Sequence, residues 1–405
     1  MSIRKRILYI SPFPYSVSSG DGGATVCATA LNLLKDHFDI GMVCFSRGTE
    51  GEIHAVAQLQ SSLKWFRSVP LQITKTDVVK AKLGSFTLMP EHAAYFDKAD
   101  MRLAIQEAID TIHPDVVICQ FPQMAQFITE ATTASMTVMD VQDAFSISAF
   151  RKFSSARSLL KKIYYFFQWL GWIFYEKRYY PNFKQIWTLS AQDGYGLTAF
   201  TPTLQPRVVG LPLELPIASD TPGRLQGSRL RVGFIGSFSH PPNLEALQFI
   251  CTQLIPRVTS SNLEIDFLIA GRHPPDHLSG QAPLNVQFLG FVERLSDFYD
   301  NVDIVIAPLL SGGGIKVKVA EAMLHGKVII TTSIGAEGLD VVNGRELLIA
   351  NDASEFADHI EAVLRSDSLK NAIEIRARRH AATRLSREQW LERALHNLSS
   401  DSLSA

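Results

Sequence analysis

The chain has little cysteine, no long apolar run and no surplus of either charge, and each lack narrows what it can be. Cys27, Cys44, Cys119 and Cys251 are the only cysteines in 405 residues. They lie far apart among apolar neighbours and form no C-x-x-C. That pattern excludes a disulfide framework and a thiol redox motif, and fits small core side chains in a reducing compartment. No stretch reaches the ~18 apolar residues of a spanning helix. Arg4, Lys5 and Arg6 precede an apolar run of Ile7–Ile10 that Pro12 and Pro14 end. A secretory core needs about 7–15 apolar residues, so this run reads as a first buried strand and the chain as cytoplasmic. A net charge of -1 draws it to no nucleic acid. No His/Cys/carboxylate cluster has metal-ligand spacing, so no metal and no other cofactor is expected.

What the chain does have is alternation. Short Val/Ile/Phe-rich runs at Ile7–Ile10, Gly41–Phe45, Val116–Cys119, Thr137–Val141 and Ile186–Leu189 are separated by helical patterns such as Thr25–Lys35 and Ala99–Ile112. A second series follows at Val232–Ile235, Ile265–Ala270, Val286–Leu289, Ile304–Ala307, Val328–Thr331 and Leu347–Ala350. Such alternation predicts doubly wound α/β domains with parallel sheets. Between the two series lie Pro206, Gly210, Pro212, Pro216, Pro222, Gly223 and Gly227, the composition of a linker. The reading is an N-terminal Rossmann-like domain at 1–205, a linker at 206–228 and a C-terminal one at 229–380. A closing helix follows at 381–405, where Trp390, Ala394 and Leu398 form one apolar stripe.

Residues 151–184 break the pattern. Eight basic side chains stand there against one acidic one, Glu176, around the aromatic run Ile163–Tyr175. The run is too short to span a bilayer but suits an anionic membrane interface. A helical pair packed on the first domain, with its basic ends in water, fits the same residues.

The strongest chemical signal runs from Ala307 to Met323. A strand ends at Ala307, then come Gly312, Gly313 and Gly314, and a helix is expected to open near Ile315. Glycines let backbone N–H groups approach a ligand, and a helix N-terminus favours phosphate oxygens. Lys316 and Lys318 add mobile positive charge. Glu321 lies three residues after Lys318 on the same helix face, where a carboxylate can accept two ribose hydroxyls. A Gly-rich turn with an exposed Lys/Glu pair is the plainer alternative.

Taken together, Gly233-Phe-Ile-Gly-Ser237 with Pro241-Pro-Asn243, Leu268-Ile-Ala-Gly-Arg272, Val286–Val292, Gly312–Met323 and Gly326–Leu339 resemble the donor domain of GT-B glycosyltransferases, specifically the retaining family GT4. The resemblance covers roughly residues 230–365. It implies two Rossmann-like domains facing a cleft, and a nucleotide-diphosphate sugar as donor. It implies an acceptor on the N-terminal side, and the basic aromatic segment 151–184, read as a membrane-interface segment, adds a lipid-linked acceptor and an anionic membrane surface to the saccharide alternative. By the same resemblance Glu321 binds the ribose, and Lys316 and Lys318 neutralise the diphosphate. Gly236 and Ser237 lie near the phosphates, and Arg272, Phe291 and Val292 border the base. Gly22 and Gly23, just before a helix starting near Ala24, resemble the family's glycine loop, and Ile315 continues the Gly312–Gly314 turn. Three departures stand out. Glycine occupies the place of the first Glu of E-x7-E, near Gly314. The usual Arg after the first C-domain strand is missing. Gln142, between Asp140 and Asp143, stands where relatives often carry histidine. Asp140 and Asp143 could orient an acceptor hydroxyl, or an Asp here could cap the next helix. The D-x-D of metal-dependent transferases occurs nowhere in the chain, in keeping with a metal-free strategy.

Three rivals remain. A nicotinamide oxidoreductase needs G-x-G-x-x-G, which Ser19–Gly23 does not supply. A GT-B sugar-nucleotide epimerase would share the donor site, and a non-catalytic scaffold would account for the lost Glu and His positions.

Overall fold

The computed structural model describes residues 4–16, 22–84, 87–128, 136–216, 229–261, 263–280 and 283–400. They form two compact units, Met1–Gly210 with Leu391–Ala405, and Leu211–Trp390. The first holds β1 (Arg6–Ser11), β2 (Asp39–Ser46), β3 (Trp65–Pro70), β4 (Val116–Gln120), β5 (Met136–Val141), β6 (Gln185–Thr188) and β7 (Pro206–Val208). The second holds β8 (Leu230–Ile235), β9 (Ile265–Ala270), β10 (Val286–Gly290), β11 (Ile304–Ala307), β12 (Val328–Thr331) and β13 (Leu348–Ile349). Both sheets are parallel, in the orders β3-β2-β1-β4-β5-β6-β7 and β10-β9-β8-β11-β12-β13.

The strands read as unbroken apolar runs because helices cover both faces. Ile7, Leu8 and Ile10 in β1 and Ile304, Ile306 and Ala307 in β11 are fully buried. In each sheet the order reverses at one place, between β1 and β4 and between β8 and β11. Loops leaving the carboxyl ends of those four strands diverge, and ligands bind in the crevice this leaves.

Three regions gain detail beyond their sequence pattern. Pro206–Val208, read as the start of a linker, is the edge strand β7; proline can open an edge strand because its missing N–H faces no neighbour. Residues 217–228 of that linker lie outside the described residues. The second unit gives way to the first again at Trp390/Leu391, inside the helix Arg387–Ser400. The aromatic run Ile163–Tyr175 belongs to the helix Leu159–Tyr179, and one face of its second half is core: Trp172, Ile173 and Tyr175 are buried. Phe145 meets Trp172 edge-on at 4.8 Å and offsets the cost of ordering both rings.

Candidate functional site

In the second unit, Lys318 meets the end of β8 and the turn after it, and the β9 and β10 ends stack on that turn through Gly271 and Gly290. The helix Val317–Leu324 begins one turn before Glu321 and two residues later than expected, with Lys316 as its N-cap. Lys318 projects toward the β8 loop, where its Nζ donates to Asn243 Oδ1 at 2.6 Å and lies 4.7 Å from the Phe234 ring centre. Gly236 makes the room: a Cβ there would stand 2.5 Å from that Nζ. Gly271, at φ +145, lets the β9 loop cross the Gly236 carbonyl, 1.8 Å from where a Cβ would sit. Asn243 Nδ2 donates to Ser237 O at 2.9 Å, so one amide holds the loop and the ammonium together.

Lys316 is held by the turn before it. Its Nζ donates to Gly313 O at 3.0 Å and Gly314 O at 2.6 Å, and faces Glu337 at 3.9 Å. It ties down the turn that Gly312, at φ +109, and Gly314, at φ +62, make possible. Ile315 is buried beneath that turn. Glu321 turns away from Lys318's partners: Tyr299 donates to its Oε2 at 3.4 Å and to Lys318 O at 3.3 Å. Lys318 and Glu321 are therefore not an exposed pair. Loss of water pulls Lys318 down to about 7 and pushes Glu321 up to about 7, each opposed by the other's charge. Arg272 stacks its guanidinium 3.8 Å from the Phe291 ring centre, at the ends of β9 and β10 beside Val292. Ser237 shares a hydrogen with Ser239 at 2.8 Å.

A second polar group sits at the switch point of the first unit. Asp140, next to last in β5, accepts from Gln120 Nε2 and Gln142 Nε2, both at 2.8 Å, and Tyr15 donates to Gln120 Oε1. Among the described residues Asp140 Oδ1 has no partner. Burial pushes this carboxyl up to about 6 against the pull of the two amides. Asp143 lies apart from the group and accepts from Ser148 Oγ at 3.0 Å. The N-cap position of the following helix is Ala144, and Glu176 accepts the Ser146 N–H in its first turn at 3.2 Å. Gly22 and Gly23 are the first turn of the helix Gly22–Lys35 rather than a loop before it.

Sequence reasoning named Asn243 only within a matching stretch, with no role, and missed Tyr299, Gln120 and Tyr15. Gln120 carried a signal, since a polar residue closing a buried strand at a switch point has few structural reasons to be there.

The charge on Asp140 can be tested directly. A carboxyl whose folded pKa lies above its unfolded value contributes full stability below that lower value, and the contribution is lost as pH rises through the folded one. Asp140→Asn keeps an acceptor for both amides and removes the charge. Thermal melts should give equal stability near pH 4, and at pH 8 the variant should lead by about 2–3 kcal/mol. An equal gap at both pH values would reject the charge as the cause.

A helix N-terminus, a glycine turn, a lodged lysine and a carboxylate one turn further on are the parts from which an anion site can be assembled. Residues 229–366 match the family model described as "Glycosyl transferases group 1", so the second unit carries a glycosyltransferase group 1 domain. An "Uncharacterized 44.6 kDa protein in cps region" of Klebsiella pneumoniae is 26% identical over 258 residues, which are 61% of this chain and 64% of that protein. Sucrose-phosphate synthase from Thermosynechococcus elongatus superposes with a TM-score of 0.69 at 14% identity, covering 99% of this chain and all of that one. Anabaena HepE in complex with UDP and glucose gives 0.66 at 15% identity, over 98% of this chain and all of that one. The fold of the chain is GT-B.

Proposed function

We propose that the chain is a cytoplasmic glycosyltransferase that moves a sugar from a nucleotide-diphosphate donor to a saccharide or lipid-linked acceptor. The donor is held by the second unit and the acceptor by the first. The transfer retains anomeric configuration and needs no metal ion. Lys318, lodged by Gly236 against Asn243, is the observation that carries the reading. A cation held there beside a helix N-terminus stabilises the charge that develops on a departing diphosphate. Glu321, set by Tyr299, receives the ribose, and Arg272 with Phe291 offers a flat face to the base. In the first unit Asp140, held by Gln120 and Gln142, orients an acceptor hydroxyl. The cps region of the Klebsiella relative puts polysaccharide assembly first among acceptors, and the HepE complex makes UDP the first nucleotide to try.

Melting curves with UDP, GDP, ADP and dTDP, all in EDTA, test this. At a hundredfold excess over Kd one nucleotide should raise the melting point by roughly 5–10 °C. A shift that EDTA abolishes would remove the metal-free part. No shift at millimolar nucleotide would favour a non-catalytic GT-B scaffold, the reading that Gln142 and the glycines at 313 and 314 support. An epimerase would turn over its donor with no acceptor present.

A further inference from the structure

Helices Phe145–Ser155 and Leu159–Tyr179 form an antiparallel hairpin in the first unit. It opens where Glu176 accepts the Ser146 N–H. Further along, Trp169 meets Phe150 at 5.1 Å, and Phe166 meets Phe153 at 5.6 Å. The tip lies at 156–158. One face of the longer helix is core, with Gln168, Gly171, Trp172 and Tyr175 buried. The Tyr175 hydroxyl donates to Gln123 O and accepts the Gln126 N–H, each at 3.1 Å.

The opposite face is apolar, most exposed toward the tip and half-covered at Phe166 and Leu170. Leu159, Ile163, Phe166, Leu170 and Phe174 follow one another at intervals of three or four. On an ideal helix they fall within about 80° of each other along roughly 22 Å. Leu159 is 73% exposed, Leu160 80%, Ile163 44% and Phe174 51%. A contiguous apolar face of that length marks an interaction surface.

Its charge says what it meets. No acidic residue lies between Asp143 and Glu176, while Arg151, Lys152, Arg157, Lys161 and Lys162 stand at or beside the tip. Lys162 lays its ammonium 5.7 Å from the Phe153 ring centre, stem along the aromatic patch and head at its edge. The helix Lys75–Gly84 adds exposed Val79 and Leu83 with Lys75, Lys80 and Lys82. It packs on Glu91–Tyr95, whose Glu91 accepts from Tyr164 of the hairpin.

We propose that this hairpin docks the protein on an anionic lipid bilayer, its apolar face entering the acyl boundary and its basic tip meeting lipid phosphates. A second copy of the chain is the poorer occupant, because self-pairing would set five basic side chains against the same five. A bilayer supplies both the apolar layer and the sheet of negative charge. The proposal goes beyond the transferase reading and does not depend on it.

Co-sedimentation tests it with the full-length protein and no sugar nucleotide, so its failure leaves the transferase reading untouched. Wild type should sediment with vesicles of equal phosphatidylcholine and phosphatidylglycerol at low salt, and far less with phosphatidylcholine alone. The pair Leu159→Glu/Ile163→Glu should lower the bound fraction about tenfold or more with an unchanged melting point. Lys161→Glu/Lys162→Glu, which leaves the apolar face intact, should also release the protein. Wild type left in the supernatant with the anionic vesicles would overturn the proposal. So would a well-folded Leu159/Ile163 pair that binds like wild type, or a dimer that this pair dissociates.

Discussion

Lys318→Met should lower kcat/KM by about 10²–10³-fold, the usual cost of removing one preorganised donor from a developing anion. The stem of methionine still fills the space beside Phe234 and Gly236, so the loss is of charge and not of packing. The stability effect has the opposite sign. A lysine pulled from its ordinary value to about 7 carries its unfavourable burial below that pH, and stability recovers as pH rises through the window between 7 and 10.5. The variant should therefore melt at or above wild type at pH 6 while losing nucleotide affinity. A residue placed only for the fold would lose both together. Nucleotide binding to wild type should also take up protons above pH 7, as the diphosphate restores the ammonium. Calorimetry in buffers of different ionisation enthalpy reads that uptake, and its absence would mean the phosphates do not reach Lys318.

Glu321→Ala should weaken transition-state stabilisation by about 2–4 kcal/mol if the carboxylate holds ribose hydroxyls, since each hydrogen bond to a charged group contributes about 1.5–3 kcal/mol. The sharper readout is selectivity. Wild type should prefer a ribonucleotide diphosphate to its 2′-deoxy counterpart, and the variant should show little preference. Activity within a factor of a few of wild type, with the preference intact, would remove Glu321 from the site. Tyr299 holds the carboxylate from a different helix, which keeps it aimed while half-buried.

Most strands were legible because a parallel sheet covered on both faces must be written as apolar runs. Ile265–Ala270, Ile304–Ala307 and Val328–Thr331 stand where their runs stand. The edge strand β3 escaped because Trp65-Phe-Arg-Ser-Val-Pro70 is half-exposed and mixed in character. At the site, helical spacing put Lys318 and Glu321 together but could not say where either points. Asn243 lies 75 residues from Lys318, and Tyr299 lies 22 from Glu321. Pairings of that kind are made by sheet topology and leave no local pattern. The setting of Lys316 was hidden for a related reason: two carbonyls of the glycine turn hold its ammonium, and a linear pattern does not show them.

The first unit takes its last piece from the far end of the chain. Gln185 in β6 donates to Asn397 O at 2.8 Å, Arg393 reaches Val209 O at 3.3 Å, and Ala394 and Leu398 are buried. During synthesis the ribosome therefore releases most of this unit long before the helix that completes it. The contiguous second unit, Leu211–Trp390, has all its strands as soon as it has emerged. Maturation runs against the order of translation: the unit made first is finished last, and until then the strand ends near Gln185 wait without their partner.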